Sequence, residues 1–123
     1  FSFFNKRGDY MVQGMSYLQL YYNKACTREL EKEKNGNYIY TSNNISTNAI
    51  TPLIINFWCK NNGSHTAYET SLTLVSSSLT VTFPPKRDRI ASGQVTSMPI
   101  SVNITKGDKA TREIVMRFEY DSI

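Results

Sequence analysis

The chain has 123 residues, 40% of them apolar and 12% aromatic, with 14 basic against 10 acidic side chains. A chain of that length withdraws roughly two-thirds of its unfolded surface from water, so one domain folds without a metal or disulfide scaffold. Four prolines and six glycines exclude collagen and linker sequences, and the longest strongly apolar run, Leu53 to Trp58 broken by Asn56, is far short of the roughly 20 residues of a membrane-crossing helix.

The net charge of +4 is spread along the chain: residues 1–62 hold seven basic and four acidic groups, and residues 63–123 hold seven and six. A nucleic-acid binder concentrates Lys and Arg on one face. The densest cluster, Lys86, Arg87 and Arg89, is interrupted by Asp88 and preceded by Pro84-Pro85, and it reads as a solvated loop. No nucleic-acid partner is expected.

The N-terminal stretch 1–14 reads as irregular, either flexible or membrane-proximal. Phe1, Phe3 and Phe4 followed by Lys6 and Arg7 fit the end of a removed membrane segment, and no secretory leader is visible. From there on, alternation of period two dominates, the mark of strands with one buried face. Leu18, Leu20 and Tyr22 alternate with Tyr17, Gln19 and Tyr21 in a strand over 15–23. Ala25 to Lys34 favours helix by propensity but offers almost no apolar face to dock one. A short exposed helix and a polar hairpin arm both fit; the hairpin is preferred because Tyr38-Ile39-Tyr40, after the Asn35-Gly36 turn signal, needs a pairing partner.

Leu53, Ile55, Phe57 and Cys59 form one face of a run whose other face carries Ile54 and Trp58, which predicts a central strand covered on both sides. Asn61-Asn62-Gly63-Ser64 turns the chain. Tyr68, Thr70, Leu72 and Leu74 then alternate with polar residues, and Leu79, Val81 and Phe83 repeat the pattern until Pro84-Pro85 stops it. After a loop over 86–94, Met98, Ile100, Val102 and Ile104 share one face. Lys106-Gly107-Asp108 turns the chain, and Ile114, Met116, Phe118 and Tyr120 close the domain with Arg117 and Glu119 outward.

Short strands about ten residues apart without helical crossovers predict a single all-β domain, an antiparallel two-sheet sandwich, with a closed barrel as the alternative. The expected core is Leu18, Leu20, Ile55, Phe57, Leu72, Leu74, Val81, Ile100, Val102, Ile104, Ile114, Met116 and Phe118, with Trp58 over its outer edge.

From Leu53 to Tyr120 the order of features carries a resemblance. An apolar strand runs into Lys60-Asn61-Asn62-Gly63-Ser64, followed by Thr66-Ala67-Tyr68, Phe83-Pro84-Pro85, Ile90-Ala91-Ser92-Gly93 and Phe118-Glu119-Tyr120. This resembles the immunoglobulin-like modules of bacterial and archaeal surface proteins, of the cell-adhesion-related or carbohydrate-enzyme-associated type. The adaptin ear domain shares the late part of the pattern. Residues 1–50 match neither. The first resemblance implies an extracytoplasmic, non-enzymatic module that connects or binds other proteins; the second implies an intracellular peptide-binding appendage.

Catalytic chemistry finds no footing. His65 is the sole histidine and sits beside a turn next to Ser64, and there is no Gly-x-Ser-x-Gly elbow and no phosphate-cradling glycine loop. Cys26 and Cys59 have no zinc spacing; a disulfide and two free thiols both fit. Asp9, Asp88 and Asp108 lie in separate predicted loops without a calcium-ligand run. No catalytic residue, metal or cofactor is therefore expected.

Binding is the expected role. Arg7-Gly8-Asp9 is an adhesion tripeptide when it projects from a loop, and Asn44-Ile45-Ser46, Asn62-Gly63-Ser64 and Asn103-Ile104-Thr105 fit the N-glycosylation pattern. Six of the eight tyrosines lie within residues 10–40. If Leu18, Leu20 and Tyr22 face the core, Tyr17 and Tyr21 make an exposed aromatic stripe suited to another protein, another domain or a second copy. Trp58 and the tyrosines also suit a sugar, so a carbohydrate-binding module is the alternative. A membrane anchor outside this chain is compatible with either.

Overall fold

The computed structural model describes residues 15–41, 52–103 and 113–122. The Arg7-Gly8-Asp9 tripeptide, Tyr10, Asn44, Ile104 and the expected turn at 106–108 lie outside the described residues.

Nine strands are described: β1 (Leu18–Tyr21), β2 (Glu31–Lys32), β3 (Tyr38–Thr41), β4 (Leu53–Asn61), β5 (Ala67–Ser77), β6 (Thr80–Thr82), β7 (Arg87–Ile90), β8 (Val95–Asn103) and β9 (Glu113–Ser122). They form a four-stranded sheet in the order β1-β4-β8-β6 and a five-stranded sheet in the order β2-β3-β9-β5-β7, with every pairing antiparallel. The chain is thus all-β, with two antiparallel sheets in a sandwich-like arrangement.

Alternation selects which side chains face inward. On β8, Met98, Ile100 and Val102 are buried, and on β9 so are Ile114, Met116, Phe118 and Tyr120. Phe57 of β4, fully buried, lies opposite Met98 and meets the rings of Tyr40 at 5.3 Å and Tyr22 at 6.1 Å. Removing such a ring costs about 3–5 kcal/mol, since the surrounding side chains only partly close the gap. Leu18, Leu20 and Leu72 join the same core, with Ile55, Val81 and Phe83 half-buried against it.

Four expectations need correction. β4 is central but not covered on both sides: Ile54 is 53% exposed and Asn56 is exposed, so its outer face meets solvent. The segment 86–94 is not all loop, because Arg87–Ile90 pairs with β5 as a charged edge strand, a composition that discourages further pairing. On β5 the inward phase changes partway. Ala67 is buried, Glu69 takes a left-handed φ of 52°, and Thr70 and Leu72 are then buried while Tyr68 is not. Between Tyr68 and Ser71 the ladder to β9 gains one extra residue, a bulge that transfers the buried set from odd to even positions. Leu74, expected in the core, is 42% exposed beside a second irregularity between Leu74 and Ser76.

The segment 25–34 is the hairpin arm. β2 pairs with β3 across a turn in which the Glu33 carbonyl accepts from Gly36 N at 2.9 Å and Gly36 adopts a φ of 87° that side chains disfavour. Just before β2 the chain returns along β1, where Tyr22 N donates to Arg28 O and Leu30 N to Leu20 O. Residues 28–30 therefore leave the four-stranded sheet and enter the five-stranded one, closing one seam of the sandwich. Leu30 is buried at that crossing, the apolar contact that propensity alone does not reveal. At the opposite seam the Arg87 guanidinium reaches from β7 to the Ser97 carbonyl on β8 at 3.0 Å. Cys26 and Cys59 are not joined by a disulfide in the structure, Cys26 half-buried and Cys59 buried.

Candidate functional site

The outer face of the four-stranded sheet is where the surface chemistry gathers. Even-numbered residues of β4 point outward there, together with Val95 and Ser97 of β8 opposite Lys60 and Trp58. Ile54 is 53% and Val95 37% exposed, and Trp58 is half-buried. Lys24, from the turn after β1, places its ammonium 5.8 Å from the Trp58 ring centre. Lys60 is the only formally charged residue that alternation turns outward on the four strands, and neither Lys24 nor Lys60 pairs with a carboxylate among the described residues.

The expected stripe of exposed Tyr17 and Tyr21 is not formed. Tyr21 lies opposite Trp58 on this face but is only 8% exposed. Its hydroxyl donates to Gln19 Oε1 at 3.3 Å and accepts from Asn62 Nδ2 at 3.0 Å. Burial raises its pKa, opposed by the bond from Asn62 and reinforced by the charge of Glu29. Tyr17 is half-buried; the Lys32 ammonium lies 5.7 Å from its ring centre and donates to its hydroxyl at 3.5 Å. Lys32 in turn pairs with Glu29 at 3.2 Å, whose Oε2 also accepts from the Tyr38 hydroxyl at 2.8 Å and from Gln19 Nε2 at 2.7 Å. Polar groups of the domain itself thus occupy the tyrosine hydroxyls: Gln19 and Asn62 hold that of Tyr21, and Lys32 and Glu29 of the returning segment hold those of Tyr17 and Tyr38. Of the aromatic residues proposed to bind, Tyr21 is buried, while Trp58 and Tyr17 are half-buried, each with a lysine ammonium over its ring.

A second cluster, unseen in the sequence beyond its turn propensity, centres on Asn61. The side chain is fully buried and uses every hydrogen-bonding position it has. Oδ1 accepts from Tyr17 N at 3.2 Å and Gly63 N at 3.0 Å, while Nδ2 donates to His65 O at 2.8 Å and Ile90 O at 2.9 Å. Gly63 is required next to it, because a Cβ would run into the backbone of Met15, Ser16 and Tyr17. The neighbouring Asn62, a predicted glycosylation acceptor, already spends its amide nitrogen on Gln19 and Tyr21.

His65 is exposed, with Ser64 Oγ 3.1 Å from its Nδ1. Among the described residues, no group of three or more His, Cys, Asp or Glu side chains converges to hold a metal ion, and no helix is long and apolar enough to cross a membrane. The Cys59 thiol is buried in the core and pushed up strongly by desolvation, and the half-buried Cys26 thiol is raised for the same reason. Neither is set up as a nucleophile, which needs a lowered pKa.

Comparison with protein-family models, with curated proteins and with solved structures finds no match to this chain.

Proposed function

We propose that this domain is a non-enzymatic protein-interaction or spacer module of a surface or membrane-anchored protein, and that it meets its partner through the outer face of the four-stranded sheet. The exposure of Ile54 on the same outward face of β4 as Trp58 carries the reading. An isoleucine with half its surface in water gains free energy when a partner covers it, about 25 cal/mol per Å² of apolar surface removed. The resemblance between Leu53 and Tyr120 to immunoglobulin-like surface modules supports the same class and the extracytoplasmic setting. A sugar platform needs open ring faces, and on this sheet Tyr21 is covered while Lys24 stands over Trp58, so protein is favoured over glycan.

A photo-crosslinking residue placed at position 54, in intact cells of the source organism, tests this against the same residue placed at exposed position 119 on the other sheet. A discrete protein adduct from position 54 and none from 119 is expected. Equal labelling from both sites, or a glycan array that binds the domain in a Trp58-dependent way, rejects it.

A further inference from the structure

Pairing in the four-stranded sheet is staggered. β1 covers β4 only from Trp58 to Asn61, and β6 covers β8 only from Ser101 to Asn103. Each central strand therefore has a stretch with no neighbour on one side among the described residues: Leu53 to Phe57 of β4, and Val95 to Ile100 of β8.

The open edges are defended unequally. Along β8, Pro99 has no amide proton to offer a new strand, Pro84-Pro85 follow β6 in sequence, and Arg87 occupies the Ser97 carbonyl. In the other sheet one edge strand, β2, has two residues, both charged, and the other, β7, carries Arg87, Asp88 and Arg89. These are the ordinary devices that stop a stray strand from adding to a sheet. The stretch Leu53-Ile54-Ile55-Asn56-Phe57 is less defended: Pro52 precedes it, but within it there is no proline, charge or bulge, and five residues of backbone, about 17 Å long, have no strand on one side among the described residues.

We infer that this edge of β4 accepts an extended segment of another protein as an added strand, antiparallel to β4 and in line with β1, with a carboxylate-bearing N-terminal end next to Lys24. Main-chain hydrogen bonds along Leu53 to Phe57 supply the pairing, and alternate side chains of the guest lie over Ile54 and Asn56. The charge pattern chooses the guest. Lys24, at the Trp58 end of the open stretch, and Lys60, two residues further along β4, lack carboxylate partners among the described residues. An acidic segment is attracted there, whereas a second copy of this chain brings the same uncompensated lysines to the same sheet. The inference rests on the protein-interaction reading above and adds the mode and chemistry of the partner.

The test uses a fluorescent synthetic peptide, Glu-Glu-Val-Thr-Val-Thr-Val, against its Lys-Lys counterpart and against a version N-methylated at alternate residues. Anisotropy gives affinity, and amide hydrogen exchange by NMR gives location. Tighter binding of the acidic peptide by about tenfold or more, a loss of at least that size on N-methylation, and new protection among amides 53–57 are expected. Lys24→Glu should invert the preference in favour of the basic peptide, a result that a folding defect does not produce. Four outcomes overturn the inference: equal affinity for both peptides, no binding of either, amides 53–57 all protected in the free monomer, or concentration-dependent self-association through this edge. If crosslinking from position 54 still captures a protein while the peptides fail, the partner uses the face and not the edge, and the broader reading survives alone.

Discussion

The side-chain amide of Asn61 donates to the carbonyl of Ile90 at 2.9 Å, joining the end of β4 in one sheet to the end of β7 in the other. The same side chain holds Tyr17 N, Gly63 N and His65 O, so one buried asparagine fixes the start of β1, the turn after β4 and the end of an edge strand. The aromatic and lysine residues of the outer face are positioned by strands that this contact aligns.

Asn61→Leu should destabilise the domain by about 2–4 kcal/mol, because it removes four hydrogen bonds, of which those to Gly63 N and Ile90 O are buried. Urea unfolding at neutral pH measures it. Asn61→Asp, which keeps the two acceptor bonds but turns a carboxylate toward the His65 and Ile90 carbonyls, should also destabilise. A loss below about 1 kcal/mol for both would mean that the surrounding backbone is held by other contacts.

Thr70 and Arg87 are cross-strand partners, and Thr70 Oγ1 and Arg87 Nε are both buried without a hydrogen-bond partner. Thr70→Val replaces an unpaired hydroxyl by a methyl group of the same shape. It should raise stability by about 1 kcal/mol, seen as a higher urea midpoint at unchanged slope. Thr70→Ser keeps the hydroxyl, loses the methyl and should lower it; a destabilised Val variant would show that the hydroxyl is satisfied in solution.

Alkaline pH should unfold the domain. Desolvation raises the Tyr38 pKa, with further increments from the charge of Glu29 and the hydrogen bond to it; desolvation and the charge of Cys59 raise that of Tyr120. Both phenols are almost fully buried. In the unfolded chain they ionise near pH 10, so above that the folded state retains protons that the unfolded state has lost. Stability is then complete below about pH 10 and falls as pH rises past it, by about 1.4 kcal/mol per pH unit for each such phenol. Tyrosinate absorbance followed together with circular dichroism should show the buried tyrosines ionising only as the fold is lost. Tyr38→Phe should make that loss less steep. Ionisation of all eight tyrosines near pH 10 with the fold intact would contradict the burial.

Much of the architecture is legible because period-two alternation is a local property. Met98, Ile100 and Val102, and Ile114, Met116, Phe118 and Tyr120, can hide together only as inward faces of strands, and Asn35-Gly36 and Asn61 to Ser64 mark reversals through the conformations those residues tolerate. The candidate site is legible only in part. Ile54 and Trp58 read together as a second apolar face of β4 covered by another layer, since nothing local says whether such a layer exists.

The sequence by itself determined that this is an all-β chain, where most strands lie and which of their faces are apolar, because steric preference and burial act on neighbouring residues. Tertiary structure alone decided that Tyr21 is covered, that the bulge at Glu69 shifts the buried phase of β5, that Arg87–Ile90 is a strand and that Asn61 joins the two sheets. It also decided which edges are left open. Each depends on a partner ten to several dozen residues away, and a hydrogen bond or a covered ring is specified by both partners, not by either segment read alone.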